Sequence, residues 1–174
     1  HNGAVYAKDN LTINLVENTT STITNTSSSS GVSDWNCGIY VSSNLTITGS
    51  GKLKANGGNG QSSHGISVDS GTLVIDGANV VATGGTAAGS SGIYAGKKVE
   101  IKNRANVTAK GGNATGGPSR GIECSNIVIS NSSGTAASGS ASGLSVAMSS
   151  NPSISSSKSS GAYNSTKMTW WTIN

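Results

Sequence analysis

Phenylalanine is absent from this 174-residue chain, and its three Trp and four Tyr make up only 4% of the residues. The interior must therefore be built from aliphatic and small side chains. Charge is scarce too: Asp, Glu, Lys and Arg together are 10% of the chain, for a net charge of +4. Disorder caused by low hydrophobicity usually comes with high net charge, so the composition favours a folded protein with a polar surface. Basic residues gather only in slight pairs, Lys52 with Lys54, Lys97 with Lys98 and Lys102 with Arg104. No Lys/Arg run interleaved with aromatics is present, and no nucleic-acid partner is expected.

The two cysteines, Cys37 and Cys124, are too few for a disulfide framework. No stretch approaches the ~20 apolar residues of a membrane-spanning helix, so membrane insertion is not expected. The segment beginning at His1 lacks a basic-then-apolar leader, and no signal peptide is expected within it.

What the chain has in abundance is 33 Ser, 25 Gly, 18 Asn and 17 Thr, and much of this is periodic. Gly38-Ile39-Tyr40, Gly65-Ile66-Ser67, Gly92-Ile93-Tyr94 and Gly121-Ile122-Glu123 open successive copies, spaced by 27, 27 and 29 residues. The first three copies close on Gly57-Gly58, Gly84-Gly85 and Gly111-Gly112. A period of this size signifies stacked units, each too small to bury a core alone.

Each copy holds three short runs with the period-two alternation of a strand. The apolar positions are Ile39, Val41, Leu45, Ile47, Leu53 and Ala55, then Ile66, Val68, Leu73, Ile75, Val80 and Ala82. They continue as Ile93, Ala95, Val99, Ile101, Val107 and Ala109, and end in Ile122, Cys124, Ile127 and Ile129. Three strands per turn describe an all-β parallel β-helix. The Gly-Gly pairs are expected to supply positive φ at the turn after the third strand. Stacking would hold Cys37 and Cys124 about 14 Å apart at ~4.8 Å per layer, too far for a disulfide, and two free thiols are expected.

Ala4 to Ile13 aligns without a gap on Gly38 to Ile47, which adds an earlier layer with a third strand over Ser21–Asn25. Thr26–Asn36 then reads as an inserted loop. Gly143-Leu144-Ser145-Val146 opens a sixth, imperfect layer, and Ser149–Ser160 is loop-like. The expectation is one domain over 1–174 with five to six turns: regular turns over 4–131, and an irregular turn and cap over 132–174. Open coil ends invite self-association, and the tail Met168–Ile173 is the candidate for a closing strand. Trp170 and Trp171 would point to opposite sides of it, one of them closing the core.

Function has to be read from the outward residues. The residue after each Gly-Ile forms the column Tyr6, Tyr40, Ser67, Tyr94, Glu123. Rings repeating at multiples of ~4.8 Å would offer apolar faces to sugar rings, so Tyr6, Tyr40, Tyr94 and Glu123 form the candidate carbohydrate-binding set. The residue before each Gly-Ile gives Cys37, His64, Ser91, Arg120. His64 has no second His or Cys at ligand spacing; it reads as a turn residue, and no metal site is expected. On the second strand Asp76 and Lys102 share a column and are expected to pair. The seven acids are scattered, Asp9, Glu17, Asp34, Asp69, Asp76, Glu100 and Glu123. Glycoside hydrolysis usually needs two positioned carboxylates, and no acidic cluster flanks Arg104 or Arg120, so no catalysis is expected. No cofactor is expected either; Asp69 and Glu123 come nearest to a calcium site.

The pattern Gly-Ile-x(5–6)-Leu-x-Ile, followed by a polar strand and Gly-Gly, resembles the pectate-lyase-like right-handed parallel β-helix carbohydrate-binding domains of secreted clostridial and gut-bacterial surface proteins. The resemblance covers roughly residues 3–131. It implies a right-handed coil, a secreted or cell-surface location, noncatalytic binding of polysaccharide, and in some members calcium. This chain has few carboxylates compared with acid-rich members. The other function compatible with the residues is structural: a β-helical stalk, adhesin or fibre subunit without a small-molecule ligand.

Overall fold

The computed structural model describes residues 2–28, 35–141, 145–149, 152–154, 159–160 and 168–173. They contain strands and no helix, stacked in parallel as a β-solenoid of about four turns. The first three coils each hold three strands: β1 (Asn2–Ala7), β2 (Leu11–Leu15) and β3 (Thr20–Thr24); β4 (Asn36–Val41), β5 (Leu45–Gly49) and β6 (Lys52–Asn56); β7 (Gly60–Val68), β8 (Thr72–Asp76) and β9 (Asn79–Thr83). In the next two coils the first and second strands run together, as β10 (Ala87–Lys102) before β11 (Asn106–Lys110) and β12 (Ser119–Ile129) before β13 (Ser132–Ala137). The C-terminal pieces are β14 (Ser145–Met148), β15 (Pro152–Ile154), β16 (Ser159–Ser160) and β17 (Met168–Ile173).

The register follows the repeat. Ile39 pairs with Ile66, Ile66 with Ile93 and Ile93 with Ile122, and the second and third strands stack in the same way. Every apolar position read from the copies lies in one buried cluster inside the coil. The β1–β3 coil is the partly covered end: its Val5, Leu11, Ile13 and Ile23 are only half-buried, because these strands pair on one side alone among the described residues.

The glycines serve a different purpose from the one expected. None of the Gly-Gly pairs has positive φ. The left-handed residues sit instead at the corner after the second strand, at Asn18, Gly49, Gly77, Asn103, Arg104 and Asn131. Asn and Gly tolerate that conformation best. Gly57, Gly84 and Gly111 are needed because a Cβ there would strike the buried hydroxyls of Ser63, Ser90 and Ser119, and Gly85, Gly112 and Gly139 because it would strike the carbonyl of the coil below. These serines form a ladder. Gly85 N–H donates to Ser63 Oγ at 2.8 Å, and Ser90 Oγ donates to Gly85 O at 2.9 Å; Gly112 N–H donates to Ser90 Oγ at 3.0 Å, and Ser119 Oγ donates to Gly112 O at 2.9 Å. Buried backbone groups at the turn are thereby satisfied.

Asn36 is the first residue of β4 and Trp35 bridges Ser62, so the inserted loop ends earlier than Asn36; its residues 29–34 lie outside the described set. The next coil begins four residues later than read: Met148, not Leu144, stacks on Ile122. Gly143 and Leu144 lie outside the described residues, as does most of Ser149–Ser160. The regular three-strand coils end at β13: β14 and β15 still stack in parallel on β12, but β17 runs antiparallel along β13. Trp171 on β17 is buried, and a Cβ on Gly134 would collide with its ring, so that glycine makes the space the indole fills. Both cysteines are free and buried. Lys102 Nζ lies 4.0 Å from Asp76 and closer, at 3.0 Å, to Glu100, which also holds Lys98 at 2.7 Å.

Candidate functional site

The Gly-Ile repeat makes a crease. At Gly38, Gly65 and Gly92 a Cβ would run into the third strand, and at the first two also into the next coil's glycine; at Gly65 it would lie 2.5 Å from Thr83 N, 2.7 Å from Ala55 O and 2.8 Å from Gly92 O. Glycine and the following isoleucine therefore both turn inward. The residue before the glycine and the residue after the isoleucine both face out, and they converge. Arg120 and Glu123 show this within one coil, with Nη1 donating to Oε1 at 2.5 Å. His64 and Tyr94 show it between coils, their rings stacked at 5.2 Å and 24°. Two columns line the crease: Cys37, His64, Ser91, Arg120 on one wall, and Tyr40, Ser67, Tyr94, Glu123 on the other.

The tyrosine column is in register as read, but it is not an open platform. Tyr6 stacks on Tyr40 at 5.4 Å and 9°, and Tyr6 is exposed. Tyr40 is buried, at 2% exposure, so it presents no face to solvent. Ser67 leaves a gap in the row, two layers or ~9.6 Å wide between Tyr40 and Tyr94. Trp35 fills it. The indole stands edge-on to Tyr40 at 6.5 Å, to His64 at 5.5 Å and to Tyr94 at 5.6 Å and 90°. Such T-shaped pairs contribute about 0.5–1.5 kcal/mol beyond their buried area, enough to pin Trp35 across the crease.

Beyond Trp35 the crease opens into a pocket of about 270 Å³ lined by Trp35, His64, Tyr94, Arg120 and Glu123, with Ser62, Gly89, Ser90 and Pro118 completing it. Of the four site residues read from the sequence, Tyr94 and Glu123 belong to this pocket. Tyr40 lies buried behind Trp35, and Tyr6 stands outside. His64 is a strand residue at the pocket wall rather than a turn residue. Burial holds its imidazole down at about 4; Glu123 opposes the shift and Arg120 adds to it. His64 is thus neutral at physiological pH. Its Nδ1 is buried without a hydrogen-bond partner among the described residues, and so is Arg120 Nε. Burial also raises the Tyr94 phenol, with Glu123 and Asp69 adding to the shift.

Among the described residues, Glu123 is the single carboxylate in the lining. Its Oε1 accepts from Arg120 and its Oε2 accepts from Ser91 Oγ at 2.7 Å. A carboxylate committed to a guanidinium does not fit the oxygen-rich cage of calcium. Among the described residues no three His, Cys, Asp or Glu side chains gather around one point.

Sequence reasoning missed Trp35, His64 and Arg120 as partners. Trp35 lies in the insert, where no period applies. Its one signal was the ringless Ser67 in a row of tyrosines.

The fold and this pocket define a parallel β-solenoid carrying an aromatic, charge-paired pocket on its outer crease. Compared with known proteins, the chain matches no family model, no curated protein and no solved structure.

Proposed function

We propose that this chain is a noncatalytic carbohydrate-binding module of a secreted bacterial cell-surface protein, and that it binds glycan in the pocket formed by Trp35, His64, Tyr94, Arg120 and Glu123. The observation that carries the reading is the pocket itself: two aromatic rings meeting beside buried polar atoms, on an outer surface otherwise dominated by Ser, Thr, Asn and Gly. Aromatic faces take the C–H face of a sugar, and a few placed polar groups fix its orientation. The resemblance of the repeat to β-helix carbohydrate-binding domains supports the same reading and is the basis for the secreted location. The noncatalytic role rests on Glu123, the lone carboxylate among the described lining residues and an ion-paired one, since glycosidases usually place two around the scissile bond.

A glycan array with pull-down on insoluble polysaccharides tests this. Binding is expected in the native chain, to be lost in Trp35→Ala and Tyr94→Ala, and to be unchanged in Tyr6→Ala. Absence of binding, or binding indifferent to Trp35 and Tyr94, overturns it.

One observation favours a second reading, a structural stalk or fibre subunit. Strands β1, β2 and β3 pair on one side only among the described residues, leaving Val5, Leu11 and Ile13 half-covered. Such an edge is a template for association. Light scattering and electron microscopy decide it: a strictly monomeric species across concentration argues against a fibre.

A further inference from the structure

The pocket's shape and charge say more about the ligand than the word carbohydrate does. We infer that it accepts a single, neutral, terminal sugar ring, held end-on, rather than an internal stretch of polysaccharide or an acidic sugar; this rests on the carbohydrate-binding reading above.

Three features lead there. The first is size. At about 270 Å³ the pocket falls just below the ~300–1,000 Å³ of sites that enclose drug-sized ligands. The second is the angle between the walls. Trp35 and Tyr94 meet at 90°, which makes a corner. A chain lying along a surface needs rings facing the same way in successive layers, and here Tyr40 is buried and Ser67 carries no ring. A corner closes around an end.

The third is the pattern of polar atoms. Arg120 Nε–H and His64 Nδ1 are buried without partners among the described residues, and both side chains line the pocket. An unmet buried polar atom is costly, and hydroxyls satisfy both kinds of need. One sugar hydroxyl accepts from Nε–H, and a neighbouring hydroxyl bonds to the imidazole nitrogen. The charge then selects against acids. Glu123 neutralises Arg120 at 2.5 Å, and His64 is uncharged, so among the described residues nothing in the lining offers net positive charge to a uronate. The Glu123 carboxylate repels one.

Isothermal titration with methyl glycosides of glucose, galactose, mannose and N-acetylglucosamine, and with the uronate counterparts, tests this in competition with whatever polysaccharide the chain binds. At least one neutral methyl glycoside is expected to bind and displace the polymer, at least tenfold better than its uronate. His64→Phe preserves a ring against Trp35 and Tyr94 but removes both nitrogens; Arg120→Lys preserves the charge beside Glu123 but removes Nε–H. Each is expected to weaken the glycoside tenfold or more while its melting temperature stays near that of the native chain. If a variant melts early, solvent-shielding of Trp35 fluorescence by the glycoside in the native chain provides the independent readout. Polysaccharide binding that no neutral glycoside displaces, or that a uronate displaces better, overturns the inference and leaves the carbohydrate-binding reading standing. Failure of every glycan to bind overturns both.

Discussion

Lowering the pH from 7 to 5 should destabilise this protein through one residue, His64. Its ordinary value of 6.5 describes the unfolded chain, whereas burial holds it at about 4 in the folded one. Between those values the unfolded chain carries a proton that the folded chain refuses. Stability is therefore undiminished above pH 6.5 and falls as the pH drops toward 4. At pH 5 the loss is about 2 kcal/mol, and it approaches about 3 kcal/mol near pH 4. That is a large share of the ~5–15 kcal/mol that holds an ordinary domain together. The groups facing the imidazole are Glu123 and Arg120 from β12, with Trp35 and Tyr94 packed on its ring. Other carboxylates begin to protonate toward the low end of this range, so the comparison is with His64→Phe, which keeps them all. Urea unfolding at pH 7, 6 and 5, followed by Trp fluorescence, gives the free energies. The native chain should lose about 2 kcal/mol more than the variant between pH 7 and 5. Parallel losses in the two proteins would refute the claim that burial keeps His64 neutral.

Four further outcomes follow from packing and burial. Gly65→Ala should cost about 3 kcal/mol or more in thermal melts, at the upper end for overpacking because the obstruction is backbone. Gly116→Ala, whose Cβ would meet nothing closer than 3.9 Å, should change stability by less than about 1 kcal/mol. Burial pushes the Cys37 thiol up to about 12, so it should resist alkylation at pH 8 until denaturant is added, as mass spectrometry of the labelled chain will show. Trp171→Ala should cost about 3–5 kcal/mol by emptying the space beside Gly134, measured by urea unfolding.

The interior of this fold was legible because its rule is short. An apolar residue at every second position, recurring at a fixed offset, placed Ile39, Ile66, Ile93 and Ile122 correctly. It did the same for the second and third strands. The glycines were legible as necessary but not in their purpose. Close approach of backbones leaves the same letter as positive φ, and only the folded backbone separates Gly84 from Gly77. The outer face was half legible. Alternation put Tyr40 outward, yet nothing in the period foretold that Trp35 would fold over it. His64 was passed over because a lone histidine before a glycine resembles any turn residue. Its meaning depends on Tyr94 and Arg120, which are one and two coils away. The tail strand Met168–Ile173 was read correctly, but the layer before it was misplaced for a related reason: once the period lapses after Ile129, Leu144 and Met148 are equally good apolar candidates, and Met148 is the one that stacks.

The serine ladder bears on how this solenoid can change length. Ser63, Ser90 and Ser119 present the same donor and acceptor to the coil on either side. To that ladder one interface is interchangeable with the next, and a duplicated unit would find its bonds waiting. Trp35 sets the limit. By touching both Tyr40 and Tyr94 it spans the coil that carries Ser67, so it acts as a ruler two layers long. Units added beyond Ile129 would lengthen the molecule and leave the pocket as it is. A unit added between Tyr40 and Tyr94 would pull the pocket apart while the ladder remained whole.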